Sequence, residues 1–422
     1  MPSPRHSDIW MDLSSTMTIV LAGGRGTRLH ELTTRECKPA LHFAGHRRLI
    51  DFTMANAVRS GLDRMIVATQ YRPQTLERYL PDAWGHAFAE GGLELSHGPT
   101  LTRSEHGYTG TASAVMANAD RLDAAGAKEV LVLSADHIYE MDYRDMIAAH
   151  RISGAAVTVA ASNVDARHAS AFGVIKADLD ARITSFVEKP DTVSGVSDDP
   201  GGVLISMGIY VFDWDWLKAV LAEDAADNRS TNDFGHDILP RAVQDGRAYV
   251  YRRPVDAKGN APYWRDVGTL DAYRMAHLDF MRGTPPCTLP TPELVDSPDG
   301  TSTRRAESLA FSMSLGGMQL RAPKLGSEIG QRWTVLDETV VLPGARVATG
   351  ARLARCIVAP GTTVPEGLVV GEDPEEDAHW FRRTPGGTTL ITTSMLARRS
   401  ADRSSLFSVA RDPGVPRPWR LH

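Results

Sequence analysis

The sequence predicts an α/β fold in which a mostly parallel sheet is followed by a short β-helix of hexapeptide repeats. Two patterns lead to this prediction. In the first part of the chain, short apolar runs alternate with segments of helical period, which is typical of βαβ units. In the last part, aliphatic residues recur at every sixth position, which is typical of a β-helix. The 422 residues allow two or three domains at about 150 residues each.

The predicted strands of the first part are continuous apolar runs, as parallel strands covered on both faces require. They occupy residues 18–21, 64–69, 129–134 and 156–161. Segments 49–59 and 143–150 have helical period and lie between them. We therefore expect βαβ units with helices on both sides of the sheet.

The six-residue repeat begins after position 325. Its aliphatic positions are Ile329, Val335, Val341, Val347 and Leu353, and, after a shift of one residue, Val358, Val364 and Val370. Each hexapeptide of a β-helix supplies one face, and stacked coils bury one aliphatic side chain per face. Eight repeats make fewer than three three-sided coils, so we expect a cap or a partner subunit to close this domain.

Residues 283–305 are rich in Pro, Thr, Ser, Gly and Asp and predict a linker. The first residues lack the basic and apolar regions of a signal peptide, so we expect a cytoplasmic protein that starts at Met1 or Met17. The predicted plan is an N-terminal extension (1–16), a first domain (17–282), the linker (283–305), a β-helix domain with a C-terminal cap (306–400) and a tail (401–422).

Charge and cysteine usage exclude several classes of protein. Lys and Arg number 46 against 52 Asp and Glu, which argues against the basic surface of a nucleic-acid binder. No apolar run reaches the length of about 18 residues that spans a membrane. The three cysteines (Cys37, Cys287 and Cys356) are far apart, which argues against a disulfide framework or a zinc ribbon. The class of protein that remains is a multidomain enzyme.

A glycine-rich segment, LAGGRGTRL (21–29), follows the first predicted strand. Its three glycines let backbone N–H groups approach a phosphate, and Arg28 and the later Lys38 add positive charge. The segment lacks both the P-loop ending and the GxGxxG spacing of dinucleotide sites. It predicts a site for a nucleoside triphosphate; the alternatives are a plain strand-to-helix turn and, for Lys38, a solvated surface lysine.

Asp136 directly follows the predicted strand 129–134, at the strand end where α/β sheets bind ligands. Paired with a second carboxylate, for which Asp266 is the candidate, it would hold Mg²⁺ together with substrate phosphates. Without a second carboxylate, Asp136 would merely cap the next helix. We expect the neighbouring His137 to have a structural role. Glu188 and Lys189 lie at the end of a predicted strand that Pro190 terminates. Their side chains suit a sugar hydroxyl and a phosphate monoester respectively, although an exposed ion pair in a hairpin would look the same.

Together these segments resemble the sugar-nucleotide pyrophosphorylase family, and within it the bacterial ADP-glucose pyrophosphorylases. The resemblance covers about 17–380 in the family's order. Its motifs are LAGGRGTRL (21–29), KPA (38–40), IDF (50–52), TQY (69–71), GTA (110–112), ADHIY (135–139), AFGV (171–174), FVEKP (186–190), SMGIYVF (206–212), NDFGHDILP (232–240), YWRDVGTLDAY (263–273) and VPEGLVVGEDPEEDA (364–378).

The resemblance implies a Rossmann-like nucleotidyltransferase domain, a left-handed β-helix and a homotetramer. It also implies the Mg²⁺-dependent reaction of ATP with glucose 1-phosphate that gives ADP-glucose and pyrophosphate in glycogen synthesis. The implied catalytic residues are Arg28, Lys38, Asp136 and Asp266, the two aspartates also binding the metal. The implied nucleotide contacts are Leu21, Ala22, Gly23, Gly24, Gly26, Thr27, Gln70, Gly110 and Thr111. The implied sugar and sugar-phosphate contacts are Tyr108, Gly173, Glu188, Lys189, Ser206 and Phe234.

The chain departs from the family near its regulatory positions. Gly107-Tyr108-Thr109 stands where bacterial relatives have Trp-Tyr-Arg, and Arg35 stands for a regulatory lysine. These changes predict weak or altered activation. Two alternatives remain open: the same chemistry on another sugar 1-phosphate, such as glucosamine 1-phosphate, and a non-catalytic regulatory subunit. The presence of both Arg28 and Lys38 favours an active enzyme.

Overall fold

The computed structural model describes residues 12–192, 202–281, 284–290 and 334–409, with side chains to residue 402. Their contacts form two units. Of the described residues, the first unit holds 12–41, 47–267 (with its gap) and 286–290, and the second holds the rest. No helix in these ranges combines the length and the apolar character needed to cross a bilayer.

Strands β1 to β13 lie before residue 268. They are β1 (Thr16–Ala22), β2 (His42–Phe43), β3 (Arg47–Arg48), β4 (Met65–Thr69), β5 (Leu93–His97), β6 (Glu129–Ser134), β7 (His137–Tyr139), β8 (Val157–Val164), β9 (Gly173–Ala177), β10 (Ile183–Glu188), β11 (Val203–Asp213), β12 (Ala248–Arg252) and β13 (Trp264–Asp266). The helices of this part are α1 (Ile50–Arg59), α2 (Gln74–Trp84), α3 (Gly98–Thr102), α4 (Thr111–Met116), α5 (Ala119–Ala124), α6 (Tyr143–Ser153), α7 (Ala166–Ala169), α8 (Trp214–Ala226) and α9 (Leu239–Gln244).

The main sheet of the first unit is parallel at its centre. Strands β5, β4, β1 and β6 are neighbours in this order and run parallel. The long strand β11 joins β6 antiparallel and also pairs with β8 and β9. The four strands predicted from apolar runs are β1, β4, β6 and β8, and both predicted helices are present as α1 and α6. The prediction of a mostly parallel α/β sheet is confirmed.

Both faces of this sheet are covered by helices. Successive residues of a strand point to opposite faces, and Val130 and Val132 accordingly pack in one apolar cluster while Leu131 and Leu133 pack in another. The first cluster includes side chains of α4, α5, α8 and α9, and the second those of α1, α2 and α6. This double cover explains why the central strands are continuous apolar runs.

The second unit contains the repeats. Its later strands are β14 (Val335–Asp337), β15 (Val340–Val341), β16 (Arg346–Val347), β17 (Arg352–Ala354), β18 (Cys356–Val358), β19 (Thr363–Val364), β20 (Val369–Val370), β21 (Arg382–Arg383) and β22 (Thr389–Ile391). Its helices are α10 (Leu270–Asp279), α11 (Pro374–Trp380) and α12 (Thr393–Val409).

The coils of this β-helix are seventeen residues long. Val341 pairs in parallel with Val358, and Val347 with Val364, seventeen positions further on in each case. Three hexapeptides would give eighteen, and the one-residue shift between Leu353 and Val358 accounts for the difference. The predicted hexapeptide repeat is confirmed for the described residues, with one correction: Leu336, not Val335, is the buried residue that pairs with Leu353. Ile329 lies outside the described residues.

The C-terminal elements cover the last coil. Trp380, Phe381, Met395 and Leu396 pack in the same apolar cluster as the coil interior. Strand β22 extends one face of the β-helix by pairing in parallel with β18. Helix α12 continues to Val409, so helical structure extends beyond residue 400, where the sequence places the start of the tail.

Helix α10 belongs to the second unit, although the sequence assigns it to the first domain (17–282). Its Asp271 Oδ1 accepts hydrogen bonds from Thr384 Oγ1 at 2.8 Å and Thr388 Oγ1 at 2.6 Å. The buried Arg274 donates to Thr388 Oγ1 at 3.0 Å and to Glu338 Oε2 at 3.2 Å. These polar contacts, which no repeat pattern reveals, attach the helix to the β-helix.

We expect Asp271→Ala to destabilise the second unit by roughly 2 kcal/mol, because it removes the shared acceptor of two hydroxyl groups and leaves them without it. Denaturant unfolding followed by circular dichroism measures the effect. The control is Glu372→Gln, which breaks an exposed 3.0 Å ion pair with Arg352 and should cost at most about 1 kcal/mol. Equal unfolding midpoints for the two variants would contradict the prediction.

Candidate active site

A buried lysine bridges two carboxylates at the edge of the main sheet. Lys38 Nζ lies 2.9 Å from Asp136 Oδ2 and 2.8 Å from Asp266 Oδ1. Its side chain is 7 % exposed, against 28 % for Asp136 and 16 % for Asp266. Each carboxylate therefore forms an ion pair with the ammonium group and remains partly exposed to solvent. Three residues predicted separately from the sequence are brought together here.

The short β7–β13 ladder explains how Asp266 reaches Asp136 across 130 positions of the chain. Asp136 is the second residue after β6, and β7 begins directly after it. In the antiparallel register, Asp266 lies opposite His137. Ser134, the last residue of β6, donates from Oγ to Asp136 Oδ1 at 2.7 Å and orients this carboxylate.

The pKa shifts keep Lys38 and Asp136 charged. Burial alone would lower the pKa of Lys38, but Asp136 and Asp266 outweigh it, and the pKa is raised above 10.5. Burial likewise works against ionised Asp136, but the Lys38 ammonium, His137 and the Ser134 hydrogen bond lower its pKa below 3.8. The stabilisation by the lysine is therefore lost only as pH rises through its raised pKa, and that by the carboxylate only as pH falls through its lowered pKa. Between these values the pair is ionised.

The glycine-rich loop lies against the same lysine. Gly26 has φ +61°, and a Cβ there would lie 2.9 Å from Lys38 Cβ, so glycine is required on both conformational and steric grounds. Its carbonyl accepts a hydrogen bond from Thr33 Oγ1 at 3.0 Å. Leu21 and Ala22 end β1, whereas Gly24, Thr27 and Arg28 are exposed. The loop thus presents backbone groups and a guanidinium to solvent beside Lys38.

Gln70 and Tyr108 hold each other through their polar groups. Gln70 Nε2 donates to the Tyr108 carbonyl at 3.0 Å, and the Tyr108 N–H donates to Gln70 Oε1 at 2.5 Å. The Tyr108 ring is buried, and its hydroxyl donates to the Ser96 carbonyl at 3.0 Å. A Cβ on Gly23 would lie 3.2 Å from Gln70 Cβ, so Gln70 also supports the glycine-rich loop.

Gly110 and Thr111 contact the segment 231–234. A Cβ on Gly110 would lie 2.2 Å from the Asn232 carbonyl oxygen, so a side chain there is excluded. Thr111 Oγ1 donates to Asp233 Oδ2 at 3.0 Å and accepts from the Phe234 N–H at 2.9 Å. The GTA and NDFG motifs, more than 100 residues apart, form one polar cluster.

The Glu188 carboxylate lies close to the backbone of two glycines. A Cβ on Gly173 would lie 2.8 Å, and one on Gly235 2.5 Å, from Glu188 Oε2. Lys189 forms an ion pair with Glu188, but its side chain is 58 % exposed. The remaining two residues predicted to contact the sugar are buried: Ser206 Oγ donates to Tyr210 OH at 3.3 Å, and the ring of Phe234 stacks on Phe212.

Asp51 and Arg48 support the turn that carries Lys38, and sequence reasoning did not single them out. The buried Asp51 accepts hydrogen bonds from Tyr79 OH at 2.7 Å, Trp84 Nε1 at 2.9 Å and the Arg48 N–H at 2.8 Å. Burial raises the pKa of this carboxyl. Arg48 in turn donates to the Ala40 carbonyl. A charged residue inside the apolar IDF motif was the available signal.

The carboxylate pair fits a hard divalent cation. Asp136 and Asp266 supply the oxygen ligands that Mg²⁺ prefers, and with Lys38 between them the trio keeps a net charge of −1. No group of three or more His, Cys, Asp or Glu side chains in the described ranges could hold a metal ion. The remaining ligands of such a cation would be substrate phosphates and water, as is usual for Mg²⁺.

Comparisons with known proteins identify the family. The family model "Nucleotidyl transferase" matches residues 17–282, and "GlmU-like, C-terminal hexapeptide" matches 317–391. The relatives include three proteins named glucose-1-phosphate adenylyltransferase. That of Jannaschia sp. (strain CCS1) is 42% identical over 406 residues, covering 91% of this chain and 97% of its own. That of Cereibacter sphaeroides (strain ATCC 17025) is 39% identical, covering 92% and 97%. That of Novosphingobium aromaticivorans is 41% identical, covering 90% and 96%. The chain therefore belongs to the nucleotidyl transferase family and, within it, to the glucose-1-phosphate adenylyltransferases.

Proposed function

We propose that the chain transfers the adenylyl group of ATP to glucose 1-phosphate, giving ADP-glucose and pyrophosphate. The observation that carries this proposal is the buried Lys38 between Asp136 and Asp266, next to a glycine-rich loop with an exposed arginine. Such a site suits a substrate that combines a triphosphate with a divalent cation. The relatives that share about 40% of the sequence carry the name of this reaction.

The reaction needs positioning and charge neutralisation more than proton transfer. A phosphate oxygen of the sugar phosphate attacks the α-phosphorus of ATP, and the bond from that phosphorus to the bridging oxygen breaks, releasing pyrophosphate. The attacking oxygen is already ionised, so no general base is required. Arg28 and Lys38 neutralise charge on the β- and γ-phosphates, while backbone N–H groups of 23–27 bind the triphosphate.

Asp136 and Asp266 are the residues that would hold Mg²⁺. When bound, the ion neutralises negative charge on the phosphates. On the other substrate, Glu188 accepts hydrogen bonds from sugar hydroxyls and the exposed Lys189 binds the sugar phosphate. Gln70, Gly110 and Thr111 line the nucleotide side. We further propose a homotetramer in the cytoplasm that serves glycogen synthesis.

Purified protein with ATP, glucose 1-phosphate and Mg²⁺ should release pyrophosphate and form ADP-glucose, measured by coupled assay and mass spectrometry. A panel of sugar 1-phosphates, glucosamine 1-phosphate included, should give the highest kcat/KM for glucose 1-phosphate. No pyrophosphate from folded protein with any sugar would contradict the proposal, and activity that requires a second homologue would indicate a regulatory subunit.

Asp136→Asn should lower kcat by about 100-fold or more, because it removes a charged ligand where phosphate charge is neutralised. The change keeps side-chain volume, so the circular dichroism spectrum should be unchanged. The matched control is Asp142→Asn, an exposed helix cap that accepts the Arg144 N–H at 3.0 Å and lies outside the site. A kcat for Asp136→Asn equal to that of the control would refute the assignment of Asp136.

Activation by sugar phosphates should be weak, because the Gln70–Tyr108 contact already holds the loop around Gly107. Gly107 has φ +63°, and a Cβ there would lie 2.6 Å from Gln70 Oε1, which leaves no room for the tryptophan of bacterial relatives. Saturating fructose 1,6-bisphosphate should therefore raise activity less than about fivefold, the lower end of usual allosteric coupling. The control is inorganic phosphate at equal ionic strength, and a larger specific stimulation would show the prediction wrong.

A further inference from the structure

Asn232 joins the nucleotide side of the proposed site to the sugar side. Its carbonyl accepts a hydrogen bond from the Ala112 N–H at 2.8 Å, and its side-chain Oδ1 accepts one from Thr109 Oγ1 at 2.6 Å. Asn232 has φ +52°, in the left-handed region, which Asn adopts more readily than most residues. Backbone conformation and side chain therefore both direct Asn232 towards the segment 109–112.

The Asn232 side chain is held by Asp224, a buried carboxylate that lies outside the family motifs. Asp224, on α8, is 2 % exposed. Its Oδ2 accepts from Asn232 Nδ2 at 3.1 Å, and its Oδ1 accepts from Ser230 Oγ at 2.8 Å and from Arg241 Nη2 at 3.5 Å. Ser230 Oγ in turn accepts the Asn232 N–H at 2.9 Å. A buried carboxylate with this set of partners orients the Asn232 side chain.

The next three residues continue this connection to the sugar side. Asp233 accepts hydrogen bonds from Thr111 Oγ1 and from the Gly235 N–H at 2.8 Å. Gly235 is one of the two glycines that lie close to Glu188. A displacement of Asn232 would therefore move the segment 109–112 on one side and the backbone beside Glu188 on the other.

We propose that Asn232, held by Asp224, is a positioning residue that couples the binding of the two substrates. This inference rests on the proposed function, because it assigns the nucleotide to 109–112 and the sugar phosphate to Glu188 and Lys189. ATP settling against 109–112 fixes Asn232, and the same turn then presents Gly235 and Glu188 in the arrangement that the sugar needs. Binding of one substrate therefore increases the affinity for the other, and by the same factor in both directions.

Thr109 supplies the contact to the Asn232 side chain from the nucleotide side. Its hydroxyl donates to Asn232 Oδ1 at 2.6 Å. The coupling assigned here depends on this pair of neutral side chains and on Asp224.

The experiment measures the dissociation constant of glucose 1-phosphate by titration calorimetry, with and without α,β-methylene-ATP and Mg²⁺. This analogue cannot be cleaved at the bond that breaks in the reaction. The wild-type ratio of the two constants should be about fivefold or more. Asn232→Gly should bring the ratio to about one, because glycine keeps the left-handed backbone and the carbonyl but loses the side-chain hydrogen bonds to Thr109, Asp224 and Ser230. Asp224→Asn and Thr109→Val should lower it partially.

The matched control is Asp123→Asn. Asp123 accepts a hydrogen bond from Trp214 Nε1 at 2.7 Å. Trp214 begins α8, whereas Asp224 lies near the other end of this helix, and Asp123 does not contact Asn232. Its variant should keep the wild-type ratio. Thermal melting verifies that each variant is folded, and a merely structural role for Asn232 would weaken both constants equally and leave the ratio unchanged.

The outcomes are distinct. A wild-type ratio near one, or a ratio that survives in folded Asn232→Gly, overturns the inference and leaves the proposed function in place. Failure of the wild-type protein to bind either substrate overturns the proposed function and this inference with it. Loss of the ratio in Asn232→Gly, with retention in Asp123→Asn, supports the coupling.

Discussion

The buried ammonium of Lys38 organises the proposed site. A charge that is removed from water must be compensated, and here two carboxylates at 2.8 and 2.9 Å do so. The three side chains are consequently interdependent: without the lysine, two carboxylates would repel each other, and without either carboxylate a buried cation would lose half of its compensation. The rest of the first unit supplies the precise backbone that this arrangement requires. Gly26 lets the loop approach the lysine, the Arg48–Asp51 network supports its turn, and the β7–β13 ladder delivers Asp266.

Close approach of backbone to side chains recurs throughout the site. Gly23 lies on Gln70, Gly110 on the Asn232 carbonyl, and Gly235 on Glu188. A Cβ would clash at Gly110 and Gly235 and would be tight at Gly23, so these glycines permit contact between segments that are far apart in sequence. The site is thereby tightly packed before any substrate binds, which is the condition for electrostatic stabilisation without reorganisation. The exposed groups, Arg28 and Lys189, are the exceptions and have room to adjust to phosphates.

Much of this architecture could be predicted from the sequence because it depends on repeated local patterns. Double cover of the sheet makes its strands apolar throughout, and the β-helix repeats one aliphatic position per face. The pairing of Asp136 with Asp266 was a hypothesis that no local pattern could test, since it depends on the register of two three-residue strands. Burial of the Tyr108 ring and the attachment of α10 were not predictable either. Both depend on hydrogen bonds between distant residues, to Ser96 in one case and to Thr384 and Thr388 in the other.

The attachment of α10 also bears on where the chain is divisible. The nucleotidyl transferase match ends at residue 282, which is after this helix, whereas the contacts change at Gly268. A fragment that begins just past the match would retain Thr384, Thr388 and Glu338 but lack the carboxylate and guanidinium that they bind. Conversely, a fragment that ends at 282 would keep Arg274 but lack Thr388 and Glu338, which accept its hydrogen bonds. The end of the family match and the change in contacts differ here by one helix, and a fragment of the second unit keeps these polar contacts only if it begins before α10.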